Sequence, residues 1–289
     1  MASDACPICE APDPRTFPIA VYAARSLALL ECRRCGFIFA STRLDDQVRH
    51  ASAYHRVREE CRDPALATVD AAGFIAYWAA KLGWSENVAL LDVGCAEGRL
   101  VEVARCMGYR ADGIDVSDYY VDQWARSAVS AQVATAEEYR AGHEAVYNAV
   151  IARQVIEHVR DPVSFLRACA GMLSRGGACL IETGDPSSWQ ARLQGGAWNF
   201  WVPREGVGSH ISFINSRAAE VLGRRSELTL RDSVPQLRYT SLQSYARGHR
   251  QAKVGLRLLV KFFLHQSRLS AARCYWYERP DSVTTHSFV

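Results

Sequence analysis

The sequence predicts an α/β protein in which a doubly wound, mostly parallel sheet of seven strands follows a small cysteine-rich module. Three observations carry that prediction. From residue 85 to about 235, short apolar runs alternate with helical stretches, the pattern of helices wrapped around a parallel sheet. A glycine-bearing turn, Gly94-Cys95-Ala96-Glu97-Gly98, follows directly on the first of those runs. Two Cys-x-x-Cys knuckles, Cys6/Cys9 and Cys32/Cys35, lie within residues 1–40.

Composition bounds the reading. With 289 residues, 49% hydrophobic and 22% charged, the chain has the make-up of a folded protein with a sizeable core. Lys+Arg 34 against Asp+Glu 31 gives +3, too mild a charge to wrap a polyanion, so nucleic acid is not an expected partner. No apolar run approaches about eighteen residues, and "MASDACPICE" has neither a charged n-region nor an apolar h-region, so no transmembrane segment or signal peptide is expected. The expected compartment is the cytoplasm, where the ten cysteines are reduced thiols plus a metal site. A homodimer is compatible with these features.

Residues 1–40 are expected to form a metal-binding module. Each knuckle presents two thiolates from one tight turn, and four thiolates complete a closed tetrahedron around a zinc ion with a structural role. Twenty-two residues separate the pairs, slightly beyond the usual window of about 15–20, which a longer hairpin absorbs. Free or redox-active thiols are the alternative. Cys61, Cys95, Cys106, Cys169, Cys179 and Cys274 are scattered, mostly in apolar segments, and read as small hydrophobes.

Residues 41–84 are expected to form a helical linker or cap. "TVDAAGFIAYWAAKLGW" places Val69, Phe74, Ile75, Trp78 and Leu82 near one face, for packing on the sheet or for covering the site. The third unit, 85–289, carries strands at 88–93, 111–115, 130–134, 147–153, 178–182 and 227–233, with helices at 98–108, 118–128, 162–174 and 216–224. "SRGG" supplies Gly176 and Gly177 where the third of those helices should stop. Near 240–270 a helical insertion carries a basic stripe, Arg250, Lys253, Arg257, Lys261 and Arg268, read as the solvated edge of a packed helix, with an anionic membrane surface as the alternative. "CYWYER" closes the series as a seventh strand.

In an open parallel sheet the ligand lies beyond the carboxyl ends of the strands, above the first strand-to-helix turn. Gly94 and Gly98 let the backbone approach a ligand, and the following helix aims N–H groups at it. The G-x-G-x-x-G dinucleotide spacing fails, and so does G-x-x-x-x-G-K-[ST], so a ligand without phosphate is expected. Asp115 stands twenty-three residues after Asp92, the spacing at which a carboxylate accepts hydrogen bonds from ribose hydroxyls. A nucleoside fits both observations, whereas Asp115 alone is equally a helix cap.

At these residues the chain resembles the class I S-adenosylmethionine-dependent methyltransferases. "LLDVGCAEG" is similar to their first motif, "GIDVS" to the acidic second, "VIARQVIEHVRDP" to the fourth strand and its turn, and "LSRGGACLIETGDP" to the fifth strand, over roughly residues 85–235. The resemblance implies a Rossmann-like methyltransferase fold with S-adenosylmethionine held by Asp92, Gly94, Ala96, Gly98, Asp115, Val116, Ala136, Glu137, Arg153 and Gln154. Ala96 stands where the family usually has glycine.

A zinc-ribbon-like head together with "WNFWVPREGVGSHISFINSRAAEVLG" narrows the resemblance to methyltransferases of sugar and secondary-metabolite pathways, deoxysugar C-methyltransferases among them. His210 matches their histidine near the substrate, while Ser209 takes the place of its glutamate partner. The C-methylating enzymes also carry a large further domain. Both departures leave a hydroxyl acceptor beside an acidic carbon. For either, a neutral imidazole is a suitable base, and His210 and His158 are the candidates. Glu157 is read as orienting its neighbours. Trp198, Phe200 and Trp201 form a cluster that either walls a flat acceptor or closes the core. An RNA-modifying enzyme gripping nucleic acid with the ribbon, and a non-catalytic partner subunit, are the competing readings.

Overall fold

The computed structural model describes residues 5–18, 29–41, 64–198, 200–201, 210–236 and 272–280. Cys61, Ser209, part of the 41–84 segment and the basic stripe from Arg250 to Arg268 lie outside the described residues.

Two sheets organise the chain. The larger has seven strands: β4 (Ala89–Val93), β5 (Arg110–Asp115), β6 (Ala131–Val133), β7 (Tyr147–Arg153), β8 (Leu173–Gly184), β10 (Thr229–Pro235) and β11 (Ala272–Glu278), in the order β10-β11-β8-β7-β4-β5-β6. All neighbours from β8 to β6 pair in parallel, and β11 runs antiparallel to both β8 and β10. This is the expected seven-stranded, mostly parallel sheet, and "CYWYER" closes it from between β8 and β10. The strand order reverses between β4 and β7, which places a ligand crevice at their carboxyl ends.

Parallel strands covered on both faces read as unbroken apolar runs, and every residue of Ala89–Val93 is buried. Leu90, Ala149, Ile151 and Leu180 face one layer, made by α1 (Pro64–Leu82), α2 (Arg99–Cys106) and α3 (Val121–Ser127). Leu91, Val93, Val150 and Ile181 face the other, made by α4 (Ala136–Arg140), α5 (Pro162–Met172) and α6 (Ser216–Arg225). Asp161 starts α5 by accepting from the N–H groups of Val163 and Ser164, with Pro162 in the first turn, where its missing N–H costs nothing.

The smaller sheet, β1 (Arg15–Phe17), β2 (Leu29–Glu31), β3 (Ile38–Ala40) and β9 (Ser212–Phe213), joins the two parts of the chain. Its first three strands come from the cysteine module and the fourth from the segment just after His210. Phe37 and Phe39 enter the same core as Ile214, Ala218 and Leu222. Leu29 and Ile38 pack instead with Trp198, Trp201 and Phe213.

Three expectations are corrected. The buried stripe of α1 is Ala67, Ala71, Phe74, Ile75 and Trp78, while Val69 is exposed, because two positions from Ala67 is a rotation of about 200°. Gly176 and Gly177 do not end a helix. Helix α5 stops at Met172 and both glycines lie inside β8, where a Cβ on Gly177 would stand 2.8 Å from the Ser174 carbonyl and 3.2 Å from that of Asn148. Cys106 is exposed, unlike the buried Cys95, Cys169, Cys179 and Cys274.

Candidate active site

The turn after β4 is braced from behind. Gly94, Ala96 and Gly98 all have left-handed φ angles of 76°, 48° and 82°. A Cβ on Gly94 would stand 2.4 Å from Val155 Cγ2, and one on Gly98 2.6 Å from Val129 Cγ1, so only glycine fits at either position. Ala96 carries a Cβ in this region and is held there from both sides. Its N–H donates to Asp115 Oδ2 at 2.8 Å, and its carbonyl accepts from Trp124 Nε1 at 2.7 Å. The other oxygen of Asp115 accepts from the Ser117 N–H at 2.9 Å.

In front of this turn lies an open crevice lined by Ala67 and Ala71 of α1, Asp92 of β4, Gly94, Cys95 and Glu97 of the turn, Arg99 and Leu100 of α2, and Arg153, Gln154 and Glu182 at the ends of β7 and β8. Small side chains on α1 keep the space open. Arg153 is the hub: its guanidinium reaches Asp70 at 2.7 Å and Glu182 at 3.3 Å and sits over the Phe74 ring. Gln154, next along, also has a left-handed φ of 58°, and its N–H donates to the Glu182 carbonyl at 2.8 Å. Burial pushes the Cys95 thiol up, so it is no nucleophile.

A second constellation starts three residues beyond Gln154. Glu157 is fully buried, His158 is exposed and His210 half-buried, and one ligand-type atom from each lies within 4.8 Å of the others. The histidine rings meet edge to face at 4.8 Å. His210 Nδ1 is 2.6 Å from the Phe200 carbonyl, which only accepts, so Nδ1 carries the proton and Nε2 is the basic nitrogen. Burial lowers the His210 pKa to about 4, against the opposing pull of that carbonyl. Burial raises Glu157 to about 8, although its own backbone and the Thr183 hydroxyl, donating at 3.0 Å, favour the charged form. Among the described residues, Glu157 Oε1 is buried without a hydrogen-bond partner. At neutral pH the cluster is therefore a protonated carboxyl beside a neutral imidazole. A carboxylate with two imidazoles is also a donor set for a divalent cation.

Near the N-terminus the four predicted cysteines converge. Cys6 Sγ and Cys35 Sγ are 3.6 Å apart, Cys9 Sγ and Cys32 Sγ 3.5 Å, and all four sulfurs lie within 4.8 Å of one another. Sulfurs at about 2.3 Å from a tetrahedral centre stand about 3.8 Å apart, so the set fits a zinc ion. The hydrogen bond with Cys35 pulls the Cys6 thiol down to about 5, and the same contact pushes Cys35 up.

The predicted residues fall into three groups. Asp92, Gly94, Arg153 and Gln154 line the crevice, and Ala96, Gly98 and Asp115 build the turn behind it. Val116 and Glu137 are exposed on the same edge, with Ala136 buried at the start of α4. Asp70 and Glu182 were missed. Glu182 is the lone acid in an apolar strand, which is a signal, whereas Asp70 reaches Arg153 only through the fold. Trp198 and Trp201 are core side chains at 1% and 3% exposure, so of that aromatic trio only Phe200, 4.4 Å from the His210 ring, faces the histidines.

Comparison with known proteins agrees with this fold. A family model described as a methyltransferase domain matches residues 42–233. A ubiquinone biosynthesis O-methyltransferase of Alkalilimnicola ehrlichii is 30% identical over 174 residues, 57% of this chain and 70% of that protein. Another, from Caulobacter vibrioides, is 35% identical over 128 residues, 42% of this chain, and the match spans about half of that relative's length, 48%. The solved structure of a SAM-dependent methyltransferase from Archaeoglobus fulgidus, 13% identical, has a TM-score of 0.53 and covers 78% of this chain and 99% of its own, a likeness of fold.

Proposed function

The chain belongs to the class I S-adenosylmethionine-dependent methyltransferases, and we propose that it transfers a methyl group to a hydroxyl of a small molecule, a sugar derivative or secondary-metabolite intermediate. One observation carries the reading: the segment 153–158 serves both halves of a transfer site. Its first two residues line the crevice, and its last two meet His210.

The donor fits the residues present. Its amino-acid end carries a carboxylate and an ammonium, which complement the Arg153 guanidinium and the Glu182 and Asp70 carboxylates. Its ribose hydroxyls suit Asp115, since a carboxylate has about four acceptor sites and two are used on backbone N–H groups. Asp92 and the turn from Gly94 to Gly98 form the floor, with Val116, Ala136 and Glu137 toward the base. When bound, this donor supplies a methyl group already activated on a sulfonium, so the chain's main task is alignment and exclusion of water.

The remaining task is the acceptor's proton. His210, neutral at physiological pH and tautomerically fixed by the Phe200 carbonyl, presents Nε2 to take it. His158, exposed and edge to face with it, passes the proton to solvent. Glu157 positions the pair from beneath. The relatives' names as O-methyltransferases support hydroxyl over carbon transfer, as does Ser209 in place of a glutamate partner.

The four cysteines are proposed to hold a structural zinc ion, with every tetrahedral position taken by sulfur. A screen of hydroxylated acceptors, read by mass spectrometry for a gain of about 14 daltons per methyl group, tests the function. Transfer to a hydroxyl supports it, and failure of S-adenosylmethionine to bind in calorimetry favours a non-catalytic subunit.

A further inference from the structure

We propose that the cysteine tetrad positions His210: metal binding fixes the short sheet that the module shares with the histidine's own segment, so the metal sets the acceptor side of the site and leaves the donor side alone. This rests on the zinc and methyltransferase readings above.

The mechanical connection is short and specified. Residues 211–213 are held between two partners. On one side β3 pairs with β9, Ile38 opposite Phe213 and Phe39 opposite Ser212, and the Ala40 N–H donates to the Ile211 carbonyl at 2.9 Å. On the other, the Ile211 N–H donates to the Glu157 carbonyl at 2.8 Å and the Ser212 hydroxyl to that of Ile156 at 2.9 Å. His210 meets His158 because β9 bridges the module and this turn.

A second connection comes from the knuckle itself. Gly36, directly after the ligand Cys35, donates its N–H to the Cys32 carbonyl at 2.8 Å, and its own carbonyl accepts from Asn215 Nδ2 at 2.9 Å. A Cβ on Gly36 would stand 2.5 Å from that nitrogen, so the bare glycine permits the approach. A third runs through the aromatic cluster. Phe17 of β1 packs on Trp201 at 5.3 Å, Trp201 on Phe213 at 4.7 Å, and Phe200, next to Trp201, supplies the carbonyl that sets the His210 tautomer.

The module is poorly equipped to keep this geometry without a cross-link. Its strands are three residues each, too short for independent stability, and a structural metal site contributes folding free energy outright. Among the described residues, the crevice takes its lining from α1, the turn after β4 with its flanking ends and the ends of β7 and β8, with none from the module or β9. Metal loss therefore loosens one side of the site selectively.

The test compares the zinc-loaded chain, the chain after reductive chelation, and the same chain reloaded with zinc. Three quantities are read: the 15N shifts of the His210 ring, amide exchange at Ala40 and Ile211, and S-adenosylmethionine affinity by calorimetry. Chelation is expected to average the fixed tautomer of His210 and speed exchange at both amides about tenfold or more, with donor affinity unchanged within about threefold and full recovery on reloading. An unchanged His210 ring overturns the proposal. Should chelation unfold the chain, Asn215→Asp serves instead, since Oδ1 still caps Ala218 while the donor to Gly36 is gone. The zinc-loaded variant is then expected to show the altered His210 ring, and a wild-type ring overturns the proposal. If the four cysteines bind no zinc at all, the zinc reading and this inference fall together. If the donor does not bind, the catalytic reading falls and with it the division into acceptor and donor sides, while the His210 ring still decides whether the tetrad positions that histidine.

Discussion

The carboxylate of Asp115 accepts a hydrogen bond from the backbone N–H of Ala96 at 2.8 Å. The acid at the end of the second parallel strand thus shapes the turn at the end of the first, before any ligand is present. Asp115→Asn leaves one acceptor oxygen for two backbone N–H groups and turns an NH2 against one of them. The expected cost is about 1–3 kcal/mol of stability by denaturant titration. Donor affinity is expected to fall by about tenfold or more, since tenfold corresponds to about 1.4 kcal/mol. Unchanged affinity would remove Asp115 from the donor site.

Ala96 itself is strained, with φ at 48° and a Cβ that glycine would lack. Ala96→Gly is expected to raise stability by about 1 kcal/mol, the left-handed penalty of about 1–2 kcal/mol less the unfolded-state entropy that glycine adds. A shift of the urea midpoint upward at constant slope checks this. Donor binding should be retained.

His210→Ala removes the basic nitrogen beside the buried carboxyl and the Phe200 carbonyl. Turnover of an acceptor found in the screen is expected to drop by a factor of about 100 or more while donor affinity stays within error. Near-normal turnover would reject the base assignment.

Stability should depend on pH through two groups with opposite signs. Glu157, raised to about 8 from an unfolded value near 4.5, holds its proton in the fold and loses it on unfolding, so stability falls as pH rises between those values. His210, lowered to about 4 from 6.5, does the reverse between pH 4 and 6.5. The two oppose each other between about pH 4.5 and 6.5. From pH 6.5 to 8 the Glu157 contribution falls by about 1.4 kcal/mol per unit as an upper bound, while the lowered Cys6 thiol acts with the opposite sign. Comparing urea titrations of the wild type and Glu157→Gln isolates the Glu157 part: the wild-type slope is expected to be the more negative in that window, and equal slopes would contradict the assignment.

How much of this was legible in the sequence depends on the length scale of the signal. Parallel strands buried on both faces write continuous apolar runs, which is why β4 and β7 were readable within a residue or two, while β5 and the antiparallel β11 were readable from short β-prone runs bounded by turns or by the chain's last segment. The Cys-x-x-Cys pairs and the Asp92, Gly94, Gly98 and Asp115 spacing are local motifs and were readable too. β9, with two residues, has no period to detect, and β1 to β3 have hardly more, so the sheet joining the module to His210 was invisible. Trp198 and Trp201 show the limit of residue type: an aromatic cluster beside a histidine reads the same whether it lines a cleft or, as here, fills the core beneath the module. Asp70 lies 83 residues from its partner Arg153, and no spacing rule spans that distance.

Donor placement is tested most directly by a crystal structure of the chain with S-adenosylhomocysteine. The account predicts the amino-acid end against Arg153 and Glu182, the sulfur over the turn from Gly94 to Gly98, and the ribose on Asp115. A crevice closed by the Arg153–Asp70 pair, with the ligand absent or seated elsewhere, would contradict it.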